Sequence, residues 1–228
     1  MNIDQFYSME AYSSFTACCM DDSLTNEDCW NLEYGNYEGI KFPVYFKHSY
    51  GSKKLLDILT TDGVFWLISE KMKNLLEENR ITGRKTYPIK LFYKKMEPIE
   101  GYYGFSITGR CGPIDFSKSE IIKHTSTVYE EHVWVEGKGY QPVQLGNPYI
   151  YAWEEYKGLH IDLDTWDGSD FINPMIPEVR MTIVTQKVVN VLKGINRQIT
   201  FTNLMDQRIR CTDVKGYKKK TENEDKEK

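Results

Sequence analysis

Acidic side chains between residues 154 and 170 form the group whose spacing comes nearest to a chemical site. The run Asp162-x-Asp164-x-x-Asp167-Gly168 is similar to a calcium-binding loop, where oxygen ligands recur at every second residue ahead of a glycine. The register then departs from that loop, because Trp166 occupies the third ligand position and Asn173 stands where a bidentate glutamate belongs. The pattern therefore favours a solvated acidic loop or a partner-binding surface, and we predict no metal and no cofactor.

Nucleophilic and acid–base side chains do not assemble into a recognisable catalytic motif. Cys111 follows Arg110, and a nearby cation can lower the pKa of a thiol, but no base stands at a known distance from it. His124, His132 and His160 are scattered, and the chain contains neither a G-x-S-x-G nor an H-E-x-x-H segment. We therefore predict that the chain is not an enzyme.

A second acidic group lies at the start of the chain, where eight acids precede the first basic residue, Lys41. A general nucleic-acid-binding protein would show the opposite sign of charge. Acids this dense repel one another unless a cation or a basic partner neutralises their charge. Both groups are therefore candidate partner-binding sites. The candidates are Asp21, Asp22, Glu27 and Asp28 in the first group and Glu154, Glu155, Asp162, Asp164, Trp166, Asp167 and Asp170 in the second.

Length and composition bound the class of protein. The chain has 228 residues, of which 40% are hydrophobic and 27% charged, as in globular proteins. No apolar run approaches the roughly 20 residues that cross a bilayer, and the first residues lack a signal-peptide pattern. The five cysteines show neither a CxxC pair nor metal-ligand spacing with the histidines. We read them as reduced thiols in a cytoplasm.

The element around which the chain is organised is residues 64–93, which read as strand, helix, glycine turn and strand. The apolar run at 64–68 has strand length, and Ser69 directly after it is a good N-cap, because its hydroxyl can accept a hydrogen bond from the first helical turn. The apolar residues that follow fall on one helical face. Gly83 tolerates the positive φ that ends many helices, and the residues beyond it alternate as in a half-buried strand.

The same pattern returns in residues 180–203. A strand is followed by Thr185 in the place of Ser69, and Lys187 matches Lys71 at the same distance from the cap. Two copies are too few for a solenoid, and strand–helix–strand units are common, so a chance similarity remains an alternative. In either case we expect the two units to supply two helices that cover a sheet.

No linker rich in proline, glycine or serine divides the chain. We predict an α+β fold, mostly strands with two strand–helix–strand units, whose helices cover a mixed or antiparallel sheet. An acidic segment at 1–39 packs on or leads into a single domain at 40–214, and a charged tail at 215–228 is disordered. Within this plan, Ser52 begins a short helix and residues 30–34 alternate as a strand does.

Three segments carry a family resemblance: VFWLISEKMKNLLEENRITGRKTYPIKLFY, GYYGFSITGRCGPIDFSKSE and RMTIVTQKVVNVLKGINRQITF. They show a strand ending in a Ser-capped helix, a glycine turn, a Y-Y strand and an I-D-x-x-x-S-E step, which here is Ile114, Asp115, Ser119 and Glu120. In these features the chain resembles a family of predicted immunity proteins of bacterial polymorphic toxin systems, the eleventh in the usual numbering. The resemblance spans residues 40–205.

That resemblance implies a non-enzymatic inhibitor in the cytoplasm that binds a cognate protein toxin, and it transfers no catalytic residues. An acidic patch would steer toward and cover a basic toxin surface, such as the substrate cleft of a nuclease. We expect neither nucleic acid nor a membrane as partner, and the sequence leaves the oligomeric state open.

The alternative function is a small-ligand-binding protein or an enzyme whose site lies in residues 154–170, around His160. A deep pocket holding a carboxyl group of raised pKa would favour this alternative. A flat or convex acidic surface would favour the binding protein.

Overall fold

Strands account for most of the regular structure in the computed structural model, which describes residues 2–21, 23–62, 66–136, 138–174, 181–195 and 198–213. This agrees with the predicted α+β class. The strands are β1 (Phe6–Ala11), β2 (Phe15–Cys19), β3 (Val44–Gly51), β4 (Ile58–Thr61), β5 (Trp66–Ser69), β6 (Arg84–Phe92), β7 (Pro98–Ile99), β8 (Tyr102–Ile107), β9 (Gly109–Cys111), β10 (Glu120–Val135), β11 (Gly139–Lys157), β12 (Phe171–Pro174), β13 (Thr182–Thr185), β14 (Ile199–Asn203) and β15 (Arg208–Arg210). The helices are α1 (Asn26–Tyr34), α2 (Glu70–Glu78) and α3 (Gln186–Leu192).

Six strands close into a barrel in the order β3–β2–β4–β5–β8–β6, with β6 pairing back to β3. The pairings of β2 with β4 and of β3 with β6 are parallel, and the others are antiparallel. The Tyr87 side chain is fully enclosed, and a Cβ atom on Gly104 would lie 2.1 Å from its ring. Glycine at position 104 is therefore what lets β8 pass beside Tyr87. The enclosed core contains Phe15, Ala17, Val44, Phe46, Leu59, Leu67, Tyr87 and Leu91.

An open sheet of five strands, in the order β14–β1–β13–β12–β9, forms the second layer. Its pairings are antiparallel except that of β12 with β9. Successive residues alternate between two cores, since Phe6 and Ile183 contact one while Tyr7 and Val184 contact the other. The chain passes from the barrel to the open sheet at Thr108, between β8 and β9, so the two layers are joined directly.

Helices α2 and α3 lie in a core that both layers share. They bury Met72, Leu76, Val188 and Leu192 in one cluster. The same cluster takes buried side chains from β4, β5 and β8 of the barrel and from β1, β12 and β13 of the open sheet. The expectation that the helices cover one sheet is therefore wrong, because they fill the interface between a closed sheet and an open one.

The two predicted strand–helix–strand units have the same topology. In the first, β5 and β6 are each antiparallel to β8, which lies between them. In the second, β13 and β14 are each antiparallel to β1, which lies between them. Strands β4 and β12 pair with the outer edges of β5 and β13 in the same antiparallel sense. Each unit is thus a split β-α-β motif with one further strand at the same edge.

The two units are alike in their contacts too. In each, an aspartate directly precedes the further strand, Asp57 before β4 and Asp170 before β12. In the first unit, the Ser69 N–H donates to the Asp57 carbonyl at 2.9 Å, and its hydroxyl donates to the Asp57 carboxylate at 2.8 Å. Lys71 Nζ lies 3.5 Å from the same carboxylate. The Ser69 hydroxyl also accepts from the Met72 N–H at 3.1 Å, so the predicted N-cap is confirmed.

In the second unit, Asp170 stands in the place of Asp57. The Thr185 N–H donates to the Asp170 carbonyl at 3.0 Å, its hydroxyl donates to the carboxylate at 2.9 Å, and Lys187 Nζ lies 3.1 Å away. Thr185 is the N-cap residue of α3 as predicted, but its hydroxyl accepts no hydrogen bond from the helix. The shared Asp–hydroxyl–Lys contacts favour a true repeat over chance.

Two local predictions are wrong. Residues 30–34 belong to helix α1, because Thr25 and Asp28 form a capping box ahead of it and Gly35, at φ +73°, ends it. The short helix expected after Ser52 is absent from the described residues, since Ile58 begins strand β4. Ile58 packs in the core around the helices and its neighbour Leu59 in the barrel, which is the alternation of a strand buried on both faces.

The acidic N-terminal segment supplies strands to both layers. Strand β1 lies between β13 and β14, and β2 lies between β3 and β4. No helix among the described residues has the length and hydropathy to cross a membrane. The tail predicted to be disordered, 215–228, lies outside the described residues.

Replacement of Ser69 by Ala should lower the free energy of unfolding by about 0.5–2 kcal/mol, because the Met72 N–H loses its acceptor. Urea unfolding followed by circular dichroism measures the change. Ser126→Ala, at an exposed position in β10, is the control and should change the value little. An equal loss in both variants would show that the cap does not stabilise α2.

Candidate partner-binding surfaces

The acidic loop, residues 162–169, is closed by hydrogen bonds from backbone amides. Asp162 accepts from the Asp164 N–H at 3.0 Å. Asp167 accepts from the Arg110 N–H at 2.9 Å and from the Ser169 N–H at 2.9 Å. Asp162, Asp164 and Asp167 are all exposed, so the loop presents carboxylates to solvent while Asp167 also supports its shape.

Trp166 anchors this loop to the open sheet. Its ring lies edge-on to Phe6 at 5.1 Å, and its indole N–H donates to the Ser169 carbonyl at 3.0 Å. The side chain is half-buried against the core under β1. Trp166 therefore orients the neighbouring carboxylates, and only part of its ring is available to a partner.

Asp170 differs from the other acids because it is only 8% exposed. Burial alone would raise its pKa. Hydrogen bonds from the Thr82 N–H at 2.9 Å, from Lys187, and from the Thr185 and Thr82 hydroxyls outweigh burial and hold the pKa below its usual range. The Asp170 carboxylate is thus held by hydrogen bonds inside the fold, between the turn that precedes β6 and the start of α3.

Glu154 and Glu155 lie apart from the acidic loop, in the last part of β11. Successive strand residues point to opposite faces, and the two carboxylates accordingly have different partners. Glu154 lies 3.7 Å from Lys123 Nζ, and Glu155 lies 3.0 Å from His124 Nε2. The predicted acidic group of residues 154–170 is therefore three separate features: these two strand residues, the acidic loop, and buried Asp170.

The N-terminal acids gather at the start of α1. Hydrogen bonds from the Thr25 N–H and hydroxyl, both 2.8 Å, lower the pKa of Asp28. Asp21 accepts from the Ser23 N–H at 3.1 Å, and Glu27 is exposed in the first helical turn. Carboxylates at this end suit the helix dipole. Asp22 lies outside the described residues.

Two groups with shifted pKa values, Cys111 and Asp170, bear on the alternative function. Burial, and then the charges of Asp167 and Asp162, raise the pKa of the Cys111 thiol to about 11, so it stays protonated at neutral pH. Asp170 has a lowered pKa, where the alternative function required a raised one. Within the described residues, no group of three His, Cys, Asp or Glu side chains is arranged to hold a metal ion.

The feature that sequence reasoning missed is a long hairpin. Strands β10 and β11 pair from Glu120 with Lys157 to Val128 with Tyr149 and again from Glu130 with Gln144 to Val135 with Gly139, and a register shift between the two stretches leaves residues 145–148 opposite Tyr129. No described residue of either strand is buried. The available signal was the sequence TVYEEHVWV, in which apolar and charged residues do not separate onto two faces.

Comparison with known proteins gives a family match. A family model described as an immunity protein family, Imm11, matches residues 13–161. The match agrees with the predicted resemblance but begins and ends earlier, so it includes α1, the first unit and the hairpin while it omits β1 and the second unit. No protein of the curated set matches the chain.

Asp170→Asn should lower the free energy of unfolding by about 2 kcal/mol at pH 7, because the bonds from Thr82, Thr185 and Lys187 lose a charged acceptor. The folded-state pKa is lowered, so this stabilisation is present above the unfolded pKa of about 3.9 and is lost as pH falls through the folded pKa.

Urea unfolding at pH 7 and pH 3 should therefore show a smaller difference between wild type and Asp170→Asn at pH 3. Asp164→Asn, in the exposed acidic loop, is the matched control and should cost little at either pH. A difference for Asp170→Asn that is the same at both pH values would contradict the assigned role.

The acidic loop should not require calcium, because backbone amides already occupy carboxylate oxygens of Asp162 and Asp167. Thermal unfolding of the chain with calcium, without it, and after chelation should give coincident midpoints. A midpoint that rises strongly with calcium concentration would overturn this prediction.

Proposed function

Because the chain belongs to the Imm11 immunity protein family, we propose that it is a non-enzymatic binding protein that neutralises a cognate toxin by covering its functional surface. The family match over residues 13–161 is the observation that carries this proposal. Membership implies a toxin partner in general. The cytoplasm is the proposed location, and neither nucleic acid nor a membrane is a proposed partner.

Exposed carboxylates support a basic partner surface. The acidic loop presents Asp162, Asp164 and Asp167, and the start of α1 presents Glu27. Charges of one sign raise the rate of encounter with a surface of the opposite sign and matter less once contact is made. We assign a steering role to these exposed acids and leave Asp170 out, because its carboxylate is enclosed.

An enzyme or small-ligand-binding protein with a site at 154–170 is the less favoured function. The two strand glutamates point to opposite faces, and Asp170 is held by Thr82, Thr185 and Lys187. Glu154, Glu155 and Asp170 thus do not form the carboxylate pair that such a site needs.

Co-expression tests the function directly. We expect a gene neighbouring this chain's own to encode the cognate toxin, and its toxin domain should stop growth when expressed alone and be tolerated with the chain present. The purified chain should bind that toxin domain in a pull-down experiment. If the chain neither protects the cells nor binds the toxin domain, the proposed function is contradicted.

Asp162→Lys combined with Asp164→Lys should slow association with that toxin domain at low salt, and the difference from wild type should shrink at high salt. The melting temperature should change little, because exposed charges contribute little to stability. Asp167 is kept, since it bonds the loop to the Arg110 amide of β9, whereas the bond that Asp162 accepts comes from Asp164 within the loop itself.

Association rates at two ionic strengths measure the effect. Glu97→Lys with Glu100→Lys, an equal change of charge at exposed positions near β7, is the control. Rates equal to wild type in the loop variant would place the steering charges elsewhere, with the exposed Glu27 next to be reversed.

A further inference from the structure

We propose that the outer part of the β10–β11 hairpin, residues 126–151, is an arm that docks directly onto a basic surface of the toxin. This inference rests on the proposed function and adds to it the element that makes the contact. Neither sequence motifs nor the acidic loop point to this surface. The argument depends on the length, exposure, aromatic content and charge of the hairpin.

The hairpin reaches well beyond its only further strand neighbour among the described residues. Strand β15 pairs with β11 only at residues 155–157, which face residues 120–122 of β10. Residues 123–135 of β10 continue past that point, and the arm's share of them, residues 126–135, extends over roughly 30 Å at roughly 3.3 Å per residue. Two strands alone are at best marginally stable in water, so an arm of this length gains from a partner.

Large apolar side chains on the arm remain exposed to solvent. Trp134 and Tyr140 are opposite each other near the tip, with ring centroids 5.3 Å apart, yet they remain 67% and 68% exposed. Exposed apolar patches mark interaction sites, and Trp and Tyr are the favoured anchors of protein interfaces. The large apolar residues exposed on the arm are Tyr129, Val133, Trp134, Tyr140, Val143, Tyr149, Ile150 and Tyr151.

The charge of the arm selects a basic partner. It carries Glu130, Glu131 and Glu136 against one base, Lys138, which gives a net charge of −2. No Lys or Arg of the described residues forms an ion pair with the three glutamates. Glu130 accepts from the Gln144 amide at 2.8 Å and lies 4.0 Å from His132 Nε2, while Glu131 accepts from the Tyr149 hydroxyl at 3.0 Å, so groups on the arm itself orient two of these charges.

A second copy of this chain fits the arm less well than a basic partner does. Packing of one arm against another would bring their glutamates together, with only a single lysine on each arm to neutralise them. Like charges brought together in an interface disfavour the complex. A basic surface on a different protein meets the same aromatic anchors without that cost.

The root of the hairpin is fixed to the fold, which presents the arm in a defined direction. Trp153 stacks on His124 at 5.0 Å, and the Arg210 guanidinium lies 5.9 Å from the Trp153 ring centroid. On the other face, Tyr156 contacts Phe116, with ring centroids 4.8 Å apart. An arm held at its root has less conformational freedom to lose on binding.

Three variants test the arm against the cognate toxin domain identified by the co-expression experiment. In the first, Asn-Gly replaces residues 126–151 and joins Thr125 to Ala152, which are opposite each other in the hairpin. The second is Trp134→Ser with Tyr140→Ser, and the third is Glu130→Lys with Glu131→Lys. Kd and association rate are measured for each, with melting temperature as the test of folding.

The shortened and aromatic variants should raise Kd by at least about tenfold, the second mainly through faster dissociation. The charge variant should mainly slow association at low salt. All three should keep the wild-type melting temperature, because no described residue of the arm is buried. If the shortened chain does not fold, the two point-mutant variants decide.

Matched controls lie outside the arm. Tyr50→Ser changes a tyrosine that is 60% exposed on β3, and Glu97→Lys with Glu100→Lys repeats the charge change near β7. Both controls should bind as wild type does. A loss in the controls as large as in the arm variants would overturn the assignment of the contact to the arm.

The remaining outcomes separate the two proposals. If the wild-type chain binds and protects but the arm variants do the same, the arm proposal fails and the proposed function stands. If the wild-type chain does not bind the toxin domain, both fail. If the shortened chain binds the toxin normally but changes from dimer to monomer in sedimentation, the arm joins copies of this chain and the proposal is overturned.

Discussion

The carboxylate of Asp170 is the contact on which the joining of the two layers depends. It accepts from the turn before β6 through Thr82 and from the start of α3 through Thr185 and Lys187. The backbone approaches so closely there that a Cβ atom on Gly83 would lie 2.1 Å from the Phe171 carbonyl oxygen. A buried carboxylate is costly unless several donors face it, so these elements must all be in place together.

Asp57 makes the matching contacts with Ser69 and Lys71 at the start of α2, but these stay within the first unit and do not join the layers. Each aspartate precedes an outer strand and bonds to the residue that begins a helix. The strand–helix–strand order was readable from the sequence, because Ser69 and Thr185 follow apolar runs and precede amphipathic ones. The aspartates were not, since they lie 12 and 15 residues before the caps and only the antiparallel pairing brings them together.

Helix α1 and the barrel show why the remaining predictions failed. The alternation of Trp30, Leu32 and Tyr34 suggested a strand, but the capping box of Thr25 with Asp28 favours a helix there. Closure of the sheet depends on the parallel pairing of β3 with β6, between residues more than 40 positions apart. Such a pairing leaves no local sequence pattern. The strands of a closed sheet and of an open sheet therefore show the same alternation of residues in the sequence.

Among the candidate site residues, the sequence located charge but could not separate the acids that the fold uses from those it leaves exposed. Asp170 and Asp28 both belong to dense acidic groups, yet one holds two layers together and the other caps a helix. Asp162 and Asp164 lie in the same dense group as Asp170 but are exposed. Which role an acid takes depends on the donors that tertiary structure brings to it, and those come from distant segments.

The position of the hairpin in the chain gives the fold a way to change its contacts without changing its core. It is inserted after β9 and before β12, between the two repeated units, and its outer part contributes no buried residue. Substitutions there leave the contacts of Asp57 and Asp170 untouched, because loops and exposed ribbons tolerate change far better than packed interiors do. The proposed arm would therefore give a binding protein for one particular toxin a division of roles, with stability held in the repeated units and recognition in an element that the units do not need.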